Sequence, residues 1–195
     1  MKYIILNAAL IITALMTLSS CSSSTEPDKS AKDYIDDGWV SFADQDYSAA
    51  EKNFTEAIKL DKKMTDAYSG AGWAMAYQKR YSEAVSQWRT GINNEAVNAD
   101  IYAGLTVVYQ ALDSLAECVE AGNNVVSMES AYVFQYDTKI NISLIHGLLA
   151  AAHYGLQDYN NAASEMDLAV PADAPHSSND LKSLLNSIMD FLGLQ

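Results

Sequence analysis

Positive charge is the scarcest property of this sequence. Its 195 residues contain 12 lysines and arginines against 25 aspartates and glutamates, which gives a formal net charge of −13 at pH 7. A surface of that sign repels phosphate backbones and anionic lipid headgroups. The composition therefore argues against a nucleic-acid partner and against attraction to a membrane surface by charge.

Catalytic and metal-binding signatures are missing as well. The sequence has no glycine-rich phosphate loop, no Gly-x-Ser-x-Gly elbow and no His-Glu-x-x-His motif. The adjacent acids Asp36 and Asp37 point to different sides of a predicted helix, as expected for a solvated face. His146 and His153 share one predicted helix face, but no carboxylate or cysteine stands at helical spacing beside them. We therefore predict no catalytic site, no metal site and no cofactor other than a covalent lipid.

The N-terminus carries a short hydrophobic run. Residues 3–16 are apolar except at two positions, and this run is shorter than the about 20 residues that span a bilayer. The segment Leu18-Ser19-Ser20-Cys21 follows at once and resembles the lipobox of bacterial lipoproteins. The resemblance implies a signal peptide over residues 1–20 and lipidation of Cys21, the first mature residue. Ordinary secretion and an uncleaved anchor are the alternatives.

Such an anchor sets the expected location. Residues 22–30 contain no apolar side chain, which predicts a flexible tether over residues 21–30 that reaches about 17 Å. The residue after the lipidated cysteine is Ser22 rather than an aspartate, which resembles the outer-membrane sorting signal of enterobacteria. The resemblance implies that the protein lies in the cell envelope, anchored in the outer membrane and facing the periplasm. Without Lys2 the mature chain has 11 basic and 25 acidic residues, a net charge of −14. We therefore expect lipid, rather than charge, to hold it at the membrane.

Cys118 is then left without a disulfide partner, and we expect it to pack as a small residue.

Two stretches of the chain match each other at a spacing of 34 residues. A fixed period of this length indicates stacked helical hairpins, because each unit is too small to bury its apolar face alone. Tyr102 marks a third copy. The recurring pairs are Tyr34 with Tyr68, Gly38 with Gly72, Trp39 with Trp73, Tyr47 with Tyr81, Ala50 with Ala84, and Phe54 with Trp88.

Glycine recurs inside a predicted helix of both copies, at Gly38 and Gly72. It costs about 1 kcal/mol there relative to alanine, so close approach by another element must compensate. The following helix of each copy presents small residues around one large side chain, Phe54 or Trp88. We therefore predict that each glycine-bearing helix packs against the next helix, with Phe54 and Trp88 filling the interface.

The second helix of each copy resembles that of tetratricopeptide repeats (TPRs). The matching segments are residues 46–57 and 80–88, whereas Lys62 and Ala96 stand in place of the usual proline. The resemblance implies a bacterial TPR lipoprotein with an all-α fold. That fold would be a right-handed superhelix of about four helix-turn-helix repeats, closed by a C-terminal capping helix.

This register also predicts the domain boundaries. The third copy is degenerate, because Thr106 replaces the glycine and Gly122 replaces the aromatic residue. Pro171 and Pro175 end the last hairpin, and Ser177-Ser178-Asn179 offers caps for the final amphipathic helix. The predicted units are the signal peptide 1–20, the tether 21–30, the repeats 31–64, 65–98, 99–132 and 143–176, and the capping helix 177–195.

A second aromatic stripe is the main functional candidate. At 100° per residue it lies on the side of each first helix away from the glycine, and in TPR proteins this side faces the concave groove where ligands lie. Burying a large aromatic side chain is worth about 2–3 kcal/mol, so exposed tryptophans here would be costly. Three interpretations stay open: packing between repeats, a pocket for a hydrophobic peptide or small apolar ligand, and self-association. The predicted groove residues are Ile35, Trp39, Phe42, Trp73, Tyr77 and Val107. None of them is a lysine or asparagine, which argues against clamping of a carboxylate-ended peptide.

An insertion of about ten residues before the fourth repeat alternates aromatic side chains at Tyr132, Phe134 and Tyr136. It could pack the link against the repeats or close over the groove. We predict a non-catalytic scaffold that binds an envelope protein or peptide, similar in architecture to the repeat lipoproteins of outer-membrane assembly and pilus biogenesis. The alternative is a lipoprotein that holds a small apolar ligand for a transport system.

Overall fold

The computed structural model describes residues 28–194, so the predicted signal peptide, Cys21 and most of the tether lie outside the described residues. Within that range the chain is helical, with one isolated β-bridge, and the all-α prediction is confirmed. Every helix of the described range is too short or too polar to span a bilayer. The helices are α1 (Ala31–Ala43), α2 (Tyr47–Leu60), α3 (Thr65–Tyr77), α4 (Tyr81–Asn93), α5 (Ala99–Ala111), α6 (Leu115–Met128), α7 (Ile142–Gly155), α8 (Tyr159–Ala169) and α9 (Leu181–Leu192).

Consecutive helices form four hairpins through turns of three residues. The middle residue of each turn adopts the left-handed conformation, at Gln45 (φ 63°), Lys79 (φ 62°), Asp113 (φ 56°) and Gln157 (φ 63°). The next backbone N–H then bonds a carbonyl five residues earlier, as from Asp46 to Ser41 at 2.9 Å, which satisfies a free carbonyl at the helix end. The turns recur after 34, 34 and 44 residues, so the insertion of ten residues lies in the third connection between hairpins.

Large side chains fit against glycines, as the sequence predicts. Phe54 is completely buried, and a Cβ added to Gly38 would lie 2.6 Å from its ring. The buried Trp88 occupies the equivalent position against Gly72. Each ring also contacts a glycine of the following hairpin, Gly70 for Phe54, which the periodic pattern did not reveal. One ring therefore joins three helices. Helix α3 is buried along nearly its whole length because it packs against α1, α2, α4 and α5.

The third hairpin reverses this arrangement. Its second helix carries Gly122 where the earlier hairpins have Phe54 and Trp88. The side chain that fills this gap is the fully buried Leu149 of α7, whose Cδ2 lies 2.7 Å from a Cβ added to Gly122. The degenerate repeat thus keeps its packing because the following hairpin supplies the large residue.

Helix α9 covers the end of the stack. Leu184 and Ile188 are buried against α7 and α8. The prediction of caps at Ser177-Ser178-Asn179 is wrong: the N-cap is Asp180, whose carboxylate accepts the N–H of Ser183 at 3.0 Å. His176 ties the stretch before the helix to α8: its N–H donates to Asp167 Oδ1 at 2.6 Å, and its Nδ1 lies 2.7 Å from the same oxygen.

Candidate functional site

The six predicted groove residues lie on α1, α3 and α5, the first helices of the first three hairpins, which pack side by side. We call this surface the groove face. Ile35, Phe42 and Trp73 are buried on it, whereas Trp39, Tyr77 and Val107 are partly exposed. Trp73 has 1% of its surface accessible. The groove face is therefore largely covered.

The cover is the insertion between α6 and α7. Phe134 stacks on Trp73 with ring centroids 4.6 Å apart and an interplanar angle of 22°. Tyr136 stacks on Trp39 at 3.9 Å and 6°. The sequence left open whether the indoles pack structurally or line a site. In the structure they are covered by a segment of the same chain that occupies the surface expected to bind ligands.

Hydrogen bonds fix the insertion at two further points. The hydroxyl of Tyr77 donates to Asp137 Oδ2 at 2.7 Å. The hydroxyl of Tyr132 donates to Asp100 Oδ1 at 2.8 Å, and Trp73 Nε1 donates to the Asp100 carbonyl at 3.1 Å. Burial, reinforced by the neighbouring carboxylates, raises the pKa of both Tyr77 and Tyr132. Both phenols therefore remain protonated donors at neutral pH.

The insertion folds back on itself. Phe134 N–H bonds the Ile140 carbonyl and Ile142 N–H bonds the Tyr132 carbonyl, both at 2.8 Å. The strand-like alternation in the sequence is thus satisfied by the insertion's own return arm. Tyr132 and Phe134 point inward and are fully buried, whereas Val133 is half exposed.

The insertion therefore has two parts of different burial. Its base, Tyr132 and Phe134, belongs to the hydrophobic core. Its tip, which we define as Tyr136 and Asp137, is only partly buried. The groove face holds Tyr136 by the stacked ring of Trp39 and, edge-on at 6.0 Å, by that of Phe42. It holds Asp137 by the hydroxyl of Tyr77.

A cavity of about 290 Å³ remains open beside the insertion, between α3 and α5. Its lining is mostly apolar, and its one charged member is Lys79. Among residues 28–194, the Lys79 ammonium has no ion-pair partner closer than 4 Å. The cavity residues are Trp73, Ala76, Tyr77, Lys79, Tyr81, Val107, Val108, Ala111 and Ile140. The insertion leaves this part of the groove face free.

The two histidines of α7 are paired with carboxylates of the same hairpin. His146 Nδ1 lies 2.6 Å from Glu165 Oε2 of α8, a partner 19 residues away that helical spacing could not reveal. His153 Nδ1 lies 3.4 Å from Asp158 Oδ2. In the described part of the chain, no three His, Cys, Asp or Glu side chains are grouped to hold a metal ion. These pairs join α7 to α8 and to the turn between the two helices.

Cys118 is fully buried on α6, with its Sγ 3.5 Å from the Thr106 carbonyl. Burial raises the pKa of this thiol to about 12. Because the thiolate is the reactive species, Cys118 is inert at neutral pH and serves packing.

Comparisons with known proteins give the fold. Solved structures of similar architecture include YrrB, described as a TPR protein with an unusual peptide-binding site (TM-score 0.65, 16% identity, 84% of this chain and 87% of that one). Another is Pseudomonas aeruginosa PilF, with a TM-score of 0.63 and 14% identity over 85% of this chain and 75% of that one. A third is a thermophilic TPR protein of Thermus thermophilus, with a TM-score of 0.57 and 12% identity over 84% of each chain. No protein-family model and no curated protein matches the sequence. The chain therefore has the fold of tetratricopeptide-repeat proteins.

Proposed function

We propose that this protein is a lipid-anchored, non-catalytic scaffold that binds an extended peptide segment of an envelope protein on its groove face. The observation that carries the proposal is that this face already holds a peptide segment, the chain's own insertion. Two ring stacks and a tyrosine–carboxylate hydrogen bond hold it. Such contacts act equally well on a segment supplied by another molecule.

The open cavity offers the partner a point of entry. Its apolar walls can receive one aliphatic or aromatic side chain, and full burial of such a side chain is worth about 1.5–3 kcal/mol. Lys79 at its edge adds a positive charge on an otherwise acidic protein. The chemistry favours a peptide that presents an apolar residue close to an acidic one.

Ala111 allows a specific test, because it is exposed at the end of α5 and lines the cavity. Ala116, exposed near the start of α6, is a matched control outside it. We expect proteins that cross-link to the wild-type chain in native membranes to be lost with Ala111→Arg and retained with Ala116→Arg. Retention of every partner by Ala111→Arg, in a folded variant, would exclude the groove face as the binding surface.

Membrane attachment has its own test. The lipobox-like segment implies acylation of Cys21, and two or more acyl chains give stable anchoring. Cys21→Ser should release the protein into the soluble fraction, whereas Cys118→Ala should leave it membrane-bound. If Cys21→Ser stays with the membranes after a salt wash, the lipid-anchor hypothesis is wrong.

A small apolar ligand is the second candidate, and the apolar lining of the cavity favours it. At about 290 Å³ the cavity is near the lower limit of small-molecule sites. A ligand of this kind should appear at stoichiometric amount in native mass spectra of the wild type and of Ala116→Arg, and disappear in Ala111→Arg. A ligand-free spectrum of protein purified without detergent exchange would remove this candidate.

A further inference from the structure

We propose that the tip of the insertion occupies a recognition site for an aromatic residue followed by an acidic residue, and that a partner peptide with this pair displaces the tip. The proposal rests on the proposed function and specifies the partner. The tip acts as an intramolecular competitor, so the contacts that it makes define the chemistry of the segment that replaces it.

The difference in burial between base and tip makes displacement feasible. Phe134 is completely enclosed, so its departure would open the core. Tyr136 and Asp137 are partly exposed and end at a turn, in which the Ile140 N–H bonds the Asp137 carbonyl at 2.9 Å. The tip can therefore leave the groove face while the base stays in place.

The contacts of Tyr136 with Trp39 and of Asp137 with Tyr77 are transferable. The ring of Tyr136 lies flat on the indole of Trp39, and any aromatic side chain can stack in this way. The carboxylate of Asp137 receives a hydrogen bond from the neutral hydroxyl of Tyr77. A donor without charge binds a carboxylate through direction and distance, which requires the acid to stand at a fixed position after the ring.

The open cavity continues the same path. Tyr77 both holds Asp137 and lines the cavity, and Ile140 forms part of its wall. A peptide that runs in the direction of the tip therefore brings the residues after its acid to the cavity, where Lys79 also lies. The inferred motif is an aromatic residue, an acidic residue and, within a few positions, an apolar residue that fills the cavity.

Tethering makes the tip a strong competitor. A segment on a short linker acts at an effective concentration on the order of millimolar. The apparent affinity for an added peptide is the intrinsic affinity multiplied by the fraction of molecules whose site is free. Removing the side chains of the tip should therefore strengthen peptide binding by about tenfold or more.

The test uses the mature chain and a labelled, end-blocked peptide of residues 135–141, which contains Tyr136, Asp137 and Ile140. We expect it to bind Tyr136→Ala/Asp137→Ala at least about tenfold more tightly than the wild type by fluorescence polarisation. Thr138→Ala/Lys139→Ala, which alters exposed neighbours, should behave as the wild type. A peptide with alanine in place of its Tyr and Asp should bind neither protein.

Equal binding to the wild type and the double variant would overturn the proposal, as would full binding of the alanine peptide. Asp137→Asn guards against a folding artefact, since it changes only the acceptor and should give a smaller increase. The scaffold hypothesis has a separate readout. Partner loss in Ala111→Arg with no effect at the tip would leave the scaffold standing and reject the motif, whereas partner retention would reject the scaffold itself.

Discussion

Replacement of Phe134 by alanine tests whether the insertion is part of the core. Phe134 is fully buried and stacks on Trp73 at 4.6 Å, with Trp39 and Phe42 in edge contact at 6.2 Å. Truncation of a buried phenylalanine costs about 3–5 kcal/mol. Because Phe134 contacts several aromatic rings, we expect the free energy of unfolding to fall by about 4 kcal/mol, the middle of that range.

Urea unfolding, followed by the helical circular-dichroism signal, measures this loss. For a slope of about 2 kcal/mol per molar urea, the midpoint should fall by about 2 M. Val133→Ala is the matched control, because Val133 is the neighbouring residue and is 50% exposed. Its replacement should cost about 0.5 kcal/mol or less. The fluorescence of Trp39 and Trp73 should shift to the red only in Phe134→Ala.

A result of equal stability for the two variants would refute the reasoning. It would mean that the insertion lies on the groove face without belonging to the core, and that Trp73 is open to solvent in solution. The distinction between a fixed base and a displaceable tip would then have no foundation.

Three further changes have expected outcomes. Gly72→Ala should lower the free energy of unfolding by about 1–3 kcal/mol in urea titrations despite its better helix propensity, because its Cβ would meet the indole of Trp88; a gain in stability would contradict the close-approach argument. Ser69→Ala should raise the free energy of unfolding by about 1 kcal/mol, since the buried Ser69 hydroxyl has no hydrogen-bond partner among residues 28–194. A lower free energy of unfolding in the same titration would contradict this prediction. Burial raises the pKa of Asp100 above 3.8, against the hydrogen bond from Tyr132, so stability from this carboxyl is present at low pH and lost as pH rises through the raised pKa. Asp100→Asn can still accept from Tyr132, so its melting temperature should match that of the wild type below pH 3.8 and be higher near neutral pH. A lower melting temperature than the wild type near neutral pH would contradict this prediction.

The hairpin packing could be predicted from sequence because its signals are local and periodic. Gly38 and Phe54 recur as Gly72 and Trp88, with the same spacing between the glycine and the large residue in both copies. A pattern that recurs in this way indicates a repeated hairpin. The contacts of Phe54 with Gly70 of the next hairpin escaped this reasoning, since a pattern read within one repeat gives no information about its neighbour.

The sequence left the filled groove as one of two alternatives and could not decide between them, because its contacts are remote and occur once. The hydrogen bond between Tyr77 and Asp137 spans 60 residues, and no repeated position points to it. The alternation of Tyr132 and Phe134 is typical of a strand, but no partner strand could be recognised, because the pairing arm is a short return segment near Ile140 that lacks a strand pattern of its own. His146 and Glu165 escaped detection for the same reason, since their pairing depends on the approach of two helices.

The position of the remaining cavity follows from the repeat register. Positions 39, 73 and 107 are equivalent, and they carry Trp, Trp and Val. The insertion supplies one ring for each tryptophan, Tyr136 for Trp39 and Phe134 for Trp73. At the third position both rings are missing, because Val107 is small and the insertion turns back before reaching it, with only Ile140 at the edge. The cavity between α3 and α5 therefore lies where the degenerate repeat carries valine in place of tryptophan, and a partner that completes the series would have to bring an apolar side chain of its own.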